Sequence, residues 1–262
     1  MNLLVINLKG GAAKTTNSSI IACYLPGSVL LEIDKINRSD VKIDSNGFYK
    51  SRQIDFQNET SKEFLEFENF LIEEGIKIID VGAIKLETFH NAMKTANLYD
   101  TIDLLIIPAM DGSDDFTVAM DYLESVKGLI DPSKIMFSFN RFNEHEYTDI
   151  KEQFDSFFNN AEAIKSKYNI DLNDPDNYYV LKDSKAIKQA RKLGRTIRSL
   201  VDQDLEKITQ EQRMPGIDRN TRMELTKRRT LVNSAKKFYE NFIESMMEKI
   251  KNKLAKKISS IK

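Results

Sequence analysis

Lys9-Gly10-Gly11-Ala12-Ala13-Lys14-Thr15-Thr16 decides how this chain folds. The stretch follows an apolar run at residues 3–8 and opens a helix-length segment at 14–25, which stops at Pro26-Gly27. Strand, glycine loop and helix together let consecutive backbone N–H groups turn toward one anion, and the helix start adds partial positive charge. Gly10 and Gly11 supply the turning freedom, Lys14 can reach terminal phosphates and the Thr15 hydroxyl can ligate Mg²⁺. The plain pattern G-x-x-x-x-G-K-[ST] is not met, because Leu8 stands at its first glycine.

Outward from this loop, apolar β-rich runs recur at residues 29–33, 76–81, 104–108, 135–139 and 178–181. Helix-length segments at 60–74, 87–99, 113–130 and 147–167 lie between most of them. The alternation predicts an α/β fold with a mostly parallel sheet covered by helices on both faces, and ligands gathered at the strand C-terminal ends. Residues 35–57 fit neither period and read as loop and irregular structure. Beyond Gly194 the strand signal ends, and 196–212 and 219–262 read as helices separated by Met214-Pro215-Gly216. The expected organisation is a P-loop domain over 1–200 and a basic helical extension over 201–262.

With 262 residues, 41% of them hydrophobic, the chain can bury a full core, and its short apolar runs exclude a membrane-spanning helix. Met1 leads almost directly into a strand, without the basic start of a secretory leader, so the expected place is the cytoplasm. Cys23 is the single cysteine, which excludes an internal disulfide and a cysteine-ligated metal cluster within one chain. The net charge of −1 hides an asymmetry. From Lys182 onward there are 22 Lys/Arg against 10 Asp/Glu, and before it 17 against 30, so a body near −13 carries a C-terminal third near +12. Such a third suits an anionic polymer or surface.

The Lys-Gly-Gly start resembles the deviant Walker A loop of the ParA/MinD family, K-G-G-x-G-K-T-T, in seven of its eight positions; Ala13 replaces the expected glycine. The resemblance spans residues 1 to about 200, with its weight on the first 83, and implies a P-loop NTPase-type sheet that binds ATP and Mg²⁺. The loop residues Gly10, Gly11, Ala12, Ala13, Lys14, Thr15 and Thr16 would cradle the phosphates. In the family the lysine at the place of Lys9 crosses a nucleotide-sandwich homodimer to the partner's phosphates. The run Val29-Leu30-Leu31-Glu32-Ile33-Asp34 resembles the family's strand ending in D-x-D, with Glu32 in place of the first aspartate, and implies Asp34 near Mg²⁺ and the attacking water. Ile76-Lys77-Ile78-Ile79-Asp80-Val81-Gly82-Ala83 resembles a Walker B strand, which implies Asp80 on a Mg²⁺-bound water and the Gly82 N–H facing the γ-phosphate. Asn140-Arg141 resembles the N-R pair whose asparagine reads adenine, and the stretch 180–183, with Lys182, resembles the loop that flanks the base.

Within the family the chain is most similar to the ParA type, which serves DNA partition. The resemblance implies that ATP closes a dimer, or builds a higher assembly, on nonspecific DNA of the nucleoid, and that a centromere-binding adaptor protein triggers slow hydrolysis. With no helix-turn-helix before the first strand, the chain resembles the short ParA type. Lys185, Lys188, Arg191, Lys192, Arg195 and Arg198 follow helical spacing and could lie along a phosphate backbone, aided by Lys227, Arg228 and Arg229. An apolar stripe of Phe238, Phe242, Met246, Ile250, Leu254 and Ile258 runs along the last helix, six lysines follow from Lys249 on, and docking on the body or a partner is the favoured reading. Membrane attachment of the MinD kind is the least favoured, since there is no tryptophan. The other alternative is a P-loop enzyme or metallochaperone, whose cysteine-dependent members the lone Cys23 disfavours.

Overall fold

The computed structural model describes residues 1–34 and 47–260, with side chains to residue 255. Seven strands form one all-parallel sheet: β1 Asn2–Val5, β2 Val29–Ile33, β3 Lys50–Ile54, β4 Lys77–Val81, β5 Leu104–Ala109, β6 Ile135–Phe142 and β7 Tyr178–Lys182. Their order is β3-β2-β4-β1-β5-β6-β7. The chain moves outward from β1 to both sides, so the order reverses there and opens a crevice above its C-terminal end. This is the α/β architecture, a parallel sheet covered by helices on both faces, that the alternation predicts.

Alternation along the strands separates two cores. Leu4, Ile6, Leu31, Ile79, Leu105 and Phe137 face one layer, packed by α2 Lys62–Ile72, α3 Leu86–Thr95, α4 Ser113–Val126, and the short α5 Ile150–Gln153, α6 Asp155–Phe158 and α7 Ala161–Tyr168. Leu3, Val5, Leu30, Ile78, Leu104 and Met136 face the other. There lie α1 Lys14–Tyr24, α8 Lys185–Lys192, α9 Ile197–Val201, α10 Leu205–Arg213, α11 Arg219–Phe238 and α12 Glu244–Ser260.

The predicted elements differ from the observed ones in three places. Within 35–57 the chain forms β3, an edge strand whose Lys50, Ser51, Arg52 and Gln53 are exposed, so it carries no apolar alternation; residues 35–46 lie outside the described residues. The helix expected at 147–167 breaks into α5, α6 and α7, with Phe154 leaving helical geometry at φ −105°, ψ 39°. The helix expected at 196–212 breaks at Gln203, after which the Asp204 side chain accepts from Glu206 N and Lys207 N to start α10.

α11 and α12 form one long helix joined by a π turn, Tyr239–Ile243. Its apolar stripe docks on the body: Phe238, Met246 and Ile250 are buried with Ile243 and Met247, and Phe242 and Leu254 pack partly buried beside them. The side chain of Ile258 lies outside the described residues. Among the described residues no helix is long and apolar enough to cross a membrane.

Candidate functional site

The loop after β1 is tied to the sheet before it turns. The Asn7 amide, fully buried, donates to the Pro108 carbonyl at the end of β5 and accepts from Lys9 N at 2.8 Å. Gly11 (φ 82°) and Ala13 (φ 63°) then adopt left-handed backbone. Ala13 thus keeps the conformation that glycine takes freely, at a cost of about 1–2 kcal/mol for a residue with a Cβ. One turn into α1, Asn17 donates to the Ala13 carbonyl from both its backbone and its side chain. Lys14 is buried and folds back so that Nζ donates to the Lys9 carbonyl at 2.9 Å. Burial pulls its pKa down, opposed by Asp80 and Asp34.

Asp80 sits on β4 directly beside Glu32 of β2 in the parallel register. It is buried, and neither carboxylate oxygen has a hydrogen-bond partner. Burial pushes its pKa up to about 7; the nearby Thr15 hydroxyl and Lys14 pull down, while Glu32 and Asp34 push further up. Glu32 is raised as well, by burial and then by Asp34. An orphaned, buried carboxylate beside a hydroxyl is an oxygen donor set suited to a hard cation, and Mg²⁺ fits it. Gly82 follows, with its N–H donating to the Ile33 carbonyl at 2.9 Å. Its φ of −61° suits any residue, so a side chain here would meet the Asp34 carboxyl group rather than backbone strain. A Cβ would lie 2.5 Å from Asp34 Cγ and 2.6 and 2.9 Å from its two oxygens.

A cavity of about 300 Å³ runs from the loop to α8, lined at the near end by Gly11, Ala13, Lys14, Thr15 and Thr16. Asn140 and Arg141 border the far end. Arg141 is the extra residue of a β-bulge, with φ 60°, between Asn140 opposite Leu181 and Phe142 opposite Lys182. The Asn140 amide does not present itself to the cavity as the adenine reading requires. Its Nδ2 donates to the carbonyls of Ser138 (2.7 Å) and Ala109 (3.3 Å), and its Oδ1 accepts from Asn17 (2.9 Å) and Ser138 (3.3 Å). Asn17 Oδ1 in turn accepts from Ser138 and the Tyr179 hydroxyl, closing a buried polar network. Lys182, on the cavity wall, is ion-paired with Glu144.

Lys9 has its side chain partly exposed, and its Nζ lies 2.5 Å from Oδ2 of the buried Asp115 at the start of α4. This contact, with Asp114 and Asp111 nearby, raises the lysine's pKa. Asp115, Asn17 and Ser138 carry no motif in the sequence, and only the cluster Asp111, Asp114, Asp115 at a helix start hints at the first of them.

The basic residues of the C-terminal third do not share one face. Lys188 and Arg191 line the cavity, with Lys188 2.7 Å from Asp183. Arg198 is turned inward. It donates to the Cys23 carbonyl, pairs with Asp202 at 3.5 Å and stacks over Tyr24 and Phe48 at 5.1 and 4.8 Å. Its place on the helix matches the basic face, but α9 packs on α1 with Arg198 as the link, so it offers nothing to a polyanion. Lys185, Lys192, Arg195, Lys227 and Arg228 remain exposed, and Arg229 is half-buried.

No model of a known protein family matches this chain, and no curated protein matches it in sequence. Plasmid partition proteins are among its structural neighbours. One, from Borrelia burgdorferi B31 and crystallised with AMPPNP, is similar at a TM-score of 0.46 and 15% identity over 71% of this chain and 88% of that one. Another from Borrelia burgdorferi is similar at a TM-score of 0.44 and 15% identity, over 74% of this chain and 95% of that one.

Proposed function

We propose that this protein is a ParA-like, nucleotide-switched ATPase of DNA partition, acting in the cytoplasm on the nucleoid. The observation that carries the nucleotide part is Asp80: a buried carboxylate with no hydrogen-bond partner, beside Thr15 and Lys14 at the end of the loop. Such a group is costly unless a ligand completes it. The loop amides of residues 10–16 and Lys14 would hold the phosphates, and Thr15 and Asp80 would hold Mg²⁺ and its water, with Asp34 alongside. When bound, Mg²⁺ neutralises charge on the β- and γ-phosphates. Asp34, set against Gly82, is the carboxylate suited to orienting water, whereas the Gly82 N–H is held by the Ile33 carbonyl and would have to leave it before facing a γ-phosphate as the family resemblance implies. With Asn140 bonded inward, the base would rest between Arg141, Lys182 and α8, and Lys188 and Arg191 would face the nucleotide.

Lys9 supports a dimer. Parked on Asp115 in the single chain, it would leave for a partner's phosphates when ATP closes the sandwich. The exposed cations Lys185, Lys192, Arg195, Lys227 and Arg228, with Arg229, would then be doubled on one duplex and bind it without reading sequence. Release would follow slow hydrolysis triggered by a centromere-binding adaptor.

The test is calorimetric titration of ATP with and without Mg²⁺. Binding should need Mg²⁺, and near-neutral binding should release protons from Asp80, visible as a dependence of the apparent heat on the buffer's ionisation enthalpy. Equal affinity without Mg²⁺, and no proton release, would remove the assignment.

A further inference from the structure

Asn140 has no hydrogen-bonding capacity left for a nucleotide. Its two amide hydrogens go to the carbonyls of Ser138 and Ala109, and the two lone pairs of Oδ1 accept from Asn17 and Ser138. Asn17 is equally complete. Its Nδ2 donates to the Ala13 carbonyl and to Asn140 Oδ1, both at 2.9 Å, and its Oδ1 accepts from the hydroxyls of Ser138 (2.8 Å) and Tyr179 (2.7 Å). All four residues are buried, so turning Asn140 toward a base would orphan partners that water does not reach.

The network leads to the phosphate loop. Ser138 and Asn140 stand two residues apart on β6, with Tyr179 opposite Ser138 on β7, and Asn17 reaches them from the first turn of α1. At its other end Asn17 gives the Ala13 carbonyl two donors, its backbone N at 3.0 Å and its side chain at 2.9 Å. Ala13 is the residue held in left-handed backbone, at φ 63°. In a planar trans peptide the C=O and the next N–H point opposite ways. Fixing the Ala13 carbonyl down the helix therefore aims the Lys14 N–H out of the helix start, the direction in which an anion is bound.

We propose that Asn140 is a positioning residue of the phosphate loop and not the reader of the base: through Asn17 it holds the Ala13–Lys14 peptide in the conformation that receives phosphate. The proposal rests on the nucleotide reading of the cavity and assigns this residue a different task within it. Tyr179 and Ser138 share that task, because each hydroxyl fixes Asn17 Oδ1 and so leaves Nδ2 aimed at the Ala13 carbonyl and Asn140. Affinity lost with Asn140 is then lost for any nucleoside triphosphate, whatever groups its base carries.

Calorimetric titration of the full chain with ATP and with purine riboside triphosphate, each with Mg²⁺, tests this at a temperature where every variant is folded. The second ligand lacks the 6-amino group from which an asparagine oxygen would accept. Asn140→Ala should weaken both ligands by the same factor, roughly tenfold. Asn17→Ala, at a residue that does not line the cavity, should do the same. Tyr179→Phe keeps the ring and removes one hydroxyl, 162 residues from Asn17 in sequence. It should weaken both ligands about two- to threefold, and it keeps the test open if an alanine variant fails to fold. A loss in Asn140→Ala that is larger for ATP than for the analogue would make Asn140 the base reader and overturn the proposal. Variants that melt earlier but bind both ligands as the wild type does would make the network structural only, and overturn it equally. A wild type that binds neither ligand would remove the nucleotide reading itself, and the proposal with it.

Discussion

The loop at residues 9–16 and the long C-terminal helix both carry lysines, and they are built on opposite terms. Around the loop the chain tolerates discomfort: Ala13 in left-handed backbone, Lys14 buried, Asp80 without a partner, and Gly82 close against the Asp34 carboxyl group. Along the helix apolar side chains are packed and two lysines of its last part are satisfied. Lys249 donates to the carbonyls of Pro175 and Tyr178, and Lys253 to the Asn177 side chain. Strain and unmet polar groups mark where a ligand is expected, and satisfied groups mark where the fold holds itself together.

Substitutions at the two regions should therefore separate binding from stability. The largest effect belongs to Ile250→Ala, at a fully buried position. It should cost about 2–5 kcal/mol in chemical denaturation. A loss within measurement error would make the helix an accessory and end the comparison. Lys14→Ala should do the reverse, lowering ATP affinity by roughly two orders of magnitude, ~3 kcal/mol, while unfolding stays cooperative. Normal ATP affinity in this variant would remove the phosphate-loop reading.

Asp80→Asn sharpens the contrast through pH. The folded-state pKa of Asp80, about 7, lies above the 3.8 of an ordinary aspartate, so the folded protein holds the proton more tightly than the unfolded chain. Its favourable contribution is complete below the unfolded value and is lost as pH rises through 7. Without nucleotide the Asn variant should therefore be the more stable protein at pH 8, on the order of 1–3 kcal/mol, and the gain should vanish toward pH 4. A gain independent of pH would mean that Asp80 is not strained by its charge.

Arg198→Ala should cost about 1–2 kcal/mol through its lost carbonyl and aromatic contacts and leave DNA binding unchanged. Arg195→Glu should leave stability unchanged and weaken DNA binding with a shallower salt dependence. Filter binding at several salt concentrations distinguishes them. The smallest effect is that of Ala13→Gly, which relieves left-handed strain but loosens the unfolded chain, for a net stabilisation of about 0.5–1 kcal/mol.

The sequence by itself determined the α/β alternation, the turn at residues 9–16 between β1 and α1, and the placing of Asp34 and Asp80 at strand ends, because buried parallel strands read as continuous apolar runs and a strand–turn–helix is a local object. It also determined the amphipathic last helix, whose period is local too. Tertiary structure alone decided the remainder. β3 is an edge strand held by pairing with β2 and carries no pattern of its own. Arg198 and Arg195 look alike in sequence, and only the packing of α9 on α1 turns one inward and leaves the other in solvent. Asn140 finds two of its partners 31 and 123 residues away, and Lys9 meets Asp115 across 106. Periodicity reports which face of an element is apolar; which polar atom meets which depends on how separate elements are brought together, and no local window of sequence contains that.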